Sequence, residues 1–165
     1  MSNKALVVID LQNDITKNYK GIIEQVNAAI DWATSKNMHV IYIRHLNLSE
    51  KTRTFKPDTK GSELVSELKV VSENIFEKSK ASALTSEGFA AFIEKNGIVE
   101  FYITGADATG CVKSTSYNLV KVGYKVHTIS DCITSYDLKK LDEMFKYYAE
   151  KGCEVLTLTD CMKDA

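Results

Sequence analysis

Five short apolar stretches punctuate the chain: ALVVID at Ala5 to Asp10, HVIYIRH at His39 to His45, VEFYITG at Val99 to Gly105, KVHTIS at Lys125 to Ser130 and EVLTL at Glu154 to Leu158. They are rich in Val, Ile, Tyr and Thr and mostly lack polar alternation, the pattern of strands covered on both faces. A weaker strand is read from Val70 to Phe76. Between them, apolar residues recur at helical spacing: Ile22, Ile23, Val26, Ala29, Ile30 and Ala33; Phe89, Phe92 and Ile93; Val112, Thr115, Leu119 and Val122; Leu138, Leu141, Phe145, Tyr148 and Ala149. Gly97, Gly123 and Gly152 stand where three of these periods stop, as left-handed C-terminal caps do. Alternation of strand and helix predicts right-handed crossovers and an α/β class: a three-layer, doubly wound, Rossmann-like sandwich with a mostly parallel central sheet. The least regular stretch, Leu46 to Leu68 with Pro57, reads as a long loop ending in a short helix near Ser62 to Leu68.

Composition narrows what such a domain can do. The 165 residues hold 21 Lys and Arg against 22 Asp and Glu, a formal net charge of −1, so no bulk field attracts nucleic acid or an anionic membrane. One Pro, eight Gly and no repeat or linker leave a single domain over residues 1–165. No apolar run approaches the ~20 residues of a membrane helix, and the opening MSNKALVVIDLQND has too short an apolar part for a secretory leader, so a cytoplasmic location is expected. The four cysteines, Cys111, Cys132, Cys153 and Cys161, form neither a C-x-x-C pair nor a zinc-finger spacing and are expected to be free thiols.

Ligands of an open parallel sheet bind beyond the carboxyl ends of its strands, at a switch point in strand order. The segments there are Asp10 to Asp14, Arg44 to Asn47, Glu77 to Lys80, Gly105 to Cys111 and Ser130 to Tyr136. Cys111 follows TGADATG and opens the helix VKSTSYNLV, where unpaired backbone N–H groups and the helix dipole favour thiolate and could hold an oxyanion. The other three cysteines read as small core hydrophobes. Asp10 closes an apolar strand, where desolvation raises a carboxyl pKa and suits it to proton transfer; an Asp there is also a common turn former. Lys78 and Lys80, in FEKSKASAL, could each set a positive charge beside that carboxylate, and physical reasoning alone does not choose between them.

In order and spacing these segments resemble the isochorismatase-like cysteine hydrolase family, over nearly the whole chain. The resemblance is carried by IDLQNDI for D-x-Q-N-D-F, VIYIRH for an apolar strand ending in Arg and His, and KGSEL for a loop with Gly and an acidic residue. It continues in KSKASAL for K-x-x-x-S-A-F, GADATGCV for G-x-x-T-x-x-C-V and GYKVHTISDC for G-Y-x-V and a strand ending in Asp. The resemblance selects Lys78 over Lys80, because Ser82 and Ala83 follow it at the family spacing. It implies a catalytic triad of Asp10, Lys78 and Cys111, a cis peptide between Ala106 and Asp107, and an oxyanion hole from the N–H groups of Asp107 and Cys111. Ala106, Gln12 and Ile15 are placed with these as the substrate surround.

Departures refine the expectation. Ile15 and Leu84 stand where the family has Phe, and Ala108 takes the place of its Thr, with Thr109 following. Nicotinamidases carry an Asp and His metal cluster after the second strand, whereas this chain has only His45 there, so neither metal nor cofactor is assigned. The expected activity is hydrolysis of a small amide, carbamoyl or related C–N compound through a thioester. The alternative is a catalytically silent or redox-active member working through ligand binding or the Cys111 thiol. A nucleotide-binding module is disfavoured by the lack of G-x-G-x-x-G and of a P-loop. The resemblance implies a small-molecule substrate and further copies of the chain, as dimer or tetramer, and Tyr136, Phe145, Tyr147 and Tyr148 exceed what one helical face hides, as a subunit contact would use.

Overall fold

The computed structural model describes residues 2–16 and 19–163. Six strands, β1 (Lys4–Ile9), β2 (His39–His45), β3 (Ile75–Lys78), β4 (Glu100–Gly105), β5 (Lys125–Ile133) and β6 (Glu154–Leu156), form one sheet in the order β3-β2-β1-β4-β5-β6. Every adjacent pair is parallel. The chain builds outward from β1 through β2 to β3, then returns to β4 on the other side of β1, which puts the switch point between β1 and β4.

The apolar strands are buried because the sheet is covered twice. Residues Ala5 to Ile9 are 0% exposed, and their alternating side chains divide between two cores. Ala5, Val7 and Ile9 join Ile41, Ile43, Phe89, Ile93, Val112, Leu119 and Tyr148, under the helices α3 (Glu87–Asn96), α4 (Cys111–Val122) and α5 (Leu141–Glu150). Leu6 and Val8 join Val40, Tyr42, Val26, Ile30, Leu158 and Cys161, under α2 (Ile23–Ser35) and α6 (Leu158–Lys163). A four-residue helix α1 (Asn13–Thr16) follows β1. The anticipated glycine stops are present: Gly97, Gly123 and Gly152 all have positive φ.

Several expectations are corrected. The weak strand lies at Ile75–Lys78 and not at Val70 to Phe76; Val70 and Val71 are exposed, on a segment held by the Tyr42 hydroxyl, which donates to the Lys69 carbonyl and accepts from the Val71 N–H. No helix forms from Ser62 to Leu68. A 3-10 turn at Lys60–Ser62 leads into an extended stretch bridged antiparallel to Gln12 at Leu64, and the Val65 N–H donates to the Leu11 carbonyl, so backbone partners across the chain replace those a helix would supply. Val122 is exposed at the end of α4. The surplus of aromatics near α5 also shrinks, because Tyr148 is buried and Phe145 and Tyr147 pack against the core; only Tyr136 of that group is exposed.

Gly105 closes β4 at φ 117°, and a Cβ there would run into the Ile9 carbonyl oxygen. Only glycine lets β4 lie this close to the end of β1. Ala106 N–H then donates to the same Ile9 carbonyl at 3.0 Å, so the loop before α4 begins anchored to the strand that carries Asp10. Among the described residues no helix is long and apolar enough to cross a membrane.

Candidate active site

Three strand ends converge at the switch point. Asp10 follows β1 with φ 54°, turning the backbone out of the sheet while its N–H still donates to the Ile43 carbonyl at 3.0 Å. Lys78 is the last residue of β3 and lies in register with His45, the last of β2. Cys111 is the first residue of α4. Lys78 is buried and Lys80 exposed, so burial separates the two lysines that sequence physics left open.

The Lys78 ammonium is the hub. Its Nζ lies 3.1 Å from Asp10 Oδ2, 3.2 Å from Cys111 Sγ and 2.8 Å from His45 Nδ1. The lysine and aspartate side chains are 0% and 3% exposed, an ion pair screened from water. The other carboxylate oxygen, Asp10 Oδ1, is buried and has no partner of hydrogen-bond geometry among the described residues, although the thiol is near enough to act on the carboxyl. Burying a polar atom without a partner is costly, and such atoms concentrate where chemistry is done.

The electrostatics follow from this enclosure. Burial pushes the Asp10 carboxyl up, against the opposing pull of Lys78, the Cys111 thiol and His45. Burial, with the Asp10 charge next, pushes the Cys111 thiol up to about 12, more than Lys78 draws it down. Burial and the neighbouring carboxylate thus oppose the thiolate that a helix start favours. His45 is held below its ordinary value by burial and then by the Lys78 charge.

The loop from Gly105 to Cys111 contains the cis peptide at Ala106–Asp107. The Asp107 side chain fixes this loop: Oδ1 accepts from Thr109 N at 2.9 Å, Thr109 Oγ1 at 2.9 Å and Ser135 Oγ at 2.8 Å, and Oδ2 from Tyr136 N at 2.7 Å. The Tyr148 hydroxyl donates to the Ala108 carbonyl beneath it. Neighbouring N–H groups are occupied, Ala108 by the Thr134 carbonyl and Gly110 by the Asp107 carbonyl; among the described residues those of Asp107 and Cys111 have no backbone acceptor.

The remaining expected residues take other places. Gln12 is fully buried, and its amide stitches backbone: Nε2 donates to the carbonyls of His45 at 2.9 Å and Ser62 at 2.8 Å, and Oε1 accepts from His45 N at 2.7 Å. It builds the wall between β1, β2 and the 60s turn. Ile15 packs on the core under α2, and Ala106 is buried in that same core. His45, to which sequence reasoning assigned no role, touches Lys78, its partner across the β2–β3 register. Asp10, His45 and Cys111 present donor atoms within 4.8 Å of one another, the one group among the described residues that could hold a metal, and the Lys78 ammonium approaches all three.

With this geometry in place, comparison with known proteins is informative. The sequence profile of the isochorismatase domain matches residues 4–160. A protein of Arabidopsis thaliana named as a probable inactive nicotinamidase is 27% identical over 152 residues, spanning 77% of this chain and 78% of its own. The crystal structure of an isochorismatase-like hydrolase from Alkaliphilus metalliredigens superposes with a TM-score of 0.90 at 20% identity, covering 99% of both chains. The nicotinamidase of Staphylococcus aureus superposes at 0.80 with 19% identity, over 95% of this chain and 99% of that one.

Proposed function

The chain belongs to the isochorismatase family of hydrolases, and from that premise we propose that it hydrolyses a small amide or carbamoyl-type C–N bond through a thioester on Cys111. The observation that carries this reading is the Lys78 ammonium shared between Asp10 Oδ2 and Cys111 Sγ, with the Asp10 carboxyl acting directly on the thiol. Asp10 Oδ1 takes the S–H proton as the sulfur attacks the substrate carbonyl carbon. A thiol pushed up to about 12 favours proton transfer coupled to attack over a standing thiolate. The carbonyl electrons move onto oxygen, where the N–H groups of Asp107 and Cys111 stabilise the oxyanion. The C–N bond breaks as Asp10 returns the proton to the leaving nitrogen. Water then attacks the thioester while Asp10 takes its proton, the carboxylic acid departs, and the proton returns to sulfur. Lys78 holds the carboxylate in line throughout, and Gln12 keeps the β2 end in register with β1.

A member that keeps the fold without turnover is the competing reading, prompted by the plant relative named as probably inactive. The experiment that separates them exposes the protein to a panel of small amides and looks by mass spectrometry for an adduct on Cys111. A thioester that forms and decays in the native protein and is missing from Cys111→Ala supports hydrolysis. Alkylation of Cys111 by iodoacetamide without acylation by any amide would overturn it.

A further inference from the structure

We propose that His45 is a positioning residue for this site: its Nδ1 lone pair takes one N–H of the Lys78 ammonium and so aims the other two at Asp10 and Cys111. A lysine ammonium only donates, so at 2.8 Å the facing ring nitrogen must be the bare acceptor and the ring proton must sit on Nε2. That proton has a partner, because His45 Nε2 lies 2.8 Å from Asn47 Oδ1. The Asn47 amide is oriented in turn by Nδ2, which donates to the Thr54 carbonyl at 2.9 Å. The tautomer is thereby fixed from outside the site, by the loop after β2. The same loop returns through Asn47 N–H to the Phe55 carbonyl at 2.9 Å and through Phe55 N–H to Asp14 Oδ2 at 2.7 Å, in α1.

Three donors and three acceptors leave the ammonium no spare direction. Without Nδ1, one N–H faces a vacated acceptor position and the ammonium is free to turn away from the sulfur. Protonating His45 has the same outcome, since two N–H groups cannot share that contact. The groups that face the ring are Lys78, Asp10 and Cys111, the Asn47 amide and the backbone of Lys80, and burial together with Lys78 keeps the ring in the neutral form this role needs.

This inference rests on Asp10, Lys78 and Cys111 acting as a unit, but its test does not require turnover. The rate of Cys111 alkylation by iodoacetamide is followed by mass spectrometry across pH in the native protein, His45→Ala, His45→Asn and Asn47→Ala. His45→Ala is expected to react about tenfold more slowly near pH 7.5, as for a thiol whose pKa rises by roughly one. His45→Asn, which restores an acceptor at the Nδ1 position, should recover most of that rate. The rate of the native protein relative to His45→Asn should fall on acidification below the ordinary histidine range, as the ring protonates. Asn47→Ala should show a smaller loss in the same direction, without a change at Lys78 itself. Native rate and pH profile in His45→Ala, with thermal unfolding showing the variant folded, would overturn the inference. An altered alkylation profile with no amide turnover would leave it standing while removing the hydrolase reading.

Discussion

Two clusters of charged and polar side chains tie neighbouring strands at opposite ends of the same sheet, with contrasting results. At the carboxyl end, one cation, Lys78, lies among Asp10, His45 and Cys111 and is closed off from water. Toward the amino end, the His127 ring lies between two carboxylates, with Nε2 2.6 Å from Glu100 Oε2 and Nδ1 2.7 Å from Glu154 Oε1, and Tyr102 stacks on it at 4.3 Å. The Glu154 side chain is 56% exposed there. The direction of the carboxyl shifts records the difference. Asp10 is raised, because burial outweighs Lys78. Glu100 is lowered, because although burial raises it, the His127 hydrogen bond with Lys4, His127 and Lys125 outweighs burial. Similar parts therefore push a carboxyl up where water is excluded and hold one down where a partner reaches the surface.

The largest effect that would sharpen this contrast is on turnover. Cys111→Ala is expected to lower kcat by about 10⁴-fold or more on any amide found to acylate the native protein, with little change in unfolding midpoint. Nothing comparable is expected from any change at His127, and a loss of turnover in His127→Gln matching that of Cys111→Ala would break the distinction. The next effect is on stability. Lys78→Met leaves the Asp10 carboxylate buried without its counter-ion and should cost about 3–5 kcal/mol in urea unfolding at neutral pH. His127→Gln, at the wetter end, should cost only about 1 kcal/mol.

Titration gives the two ends opposite signs. The contribution of Asp10, whose folded value is raised, is fully present below its unfolded value of 3.8 and is lost as pH rises through the folded one, so native stability relative to Asp10→Asn should decline with rising pH there. That of Glu100, whose folded value is lowered, is present above 4.5 and is lost as pH falls through the folded one, so native stability relative to Glu100→Gln should decline on acidification. Two slopes of the same sign in urea titrations of the two pairs would remove the contrast. Smallest is Glu154→Gln, where an exposed partner should be worth less than about 1 kcal/mol and less still at high salt.

The fold was legible where burial dictates composition. Runs such as ALVVI and HVIYI betray strands covered on both faces, and glycines at 97, 123 and 152 mark where helices stop. It was less legible where backbone is satisfied from a distance: no local periodicity announces that Leu64 bridges to Gln12, or that Val70 and Val71 lie outside the strand they resemble. At the site, Asp10 and Cys111 could be singled out from strand ends and a helix start. Lys78 needed family spacing, because a lysine's burial is invisible in its neighbours along the chain. His45 was passed over, since its role is set by a register partner thirty-three positions away. The upward push of burial on the Cys111 thiol was not legible, because a helix start is a local signal whereas desolvation is a property of everything packed around it.

The four hydrogen bonds accepted by the Asp107 carboxylate have a bearing on redesign. They join the turn before α4 to residues 135 and 136 after β5, so these two connections form one exchangeable cassette. A graft that imports only one of them would leave the other with unanswered donors and a displaced Asp107 amide. The loop at residues 46–61 is anchored at both ends, through Leu46 N–H to the Lys78 carbonyl, Phe55 N–H to Asp14 Oδ2 and Asn13 Nδ2 to the Lys60 carbonyl, so it too would have to be exchanged together with its anchors.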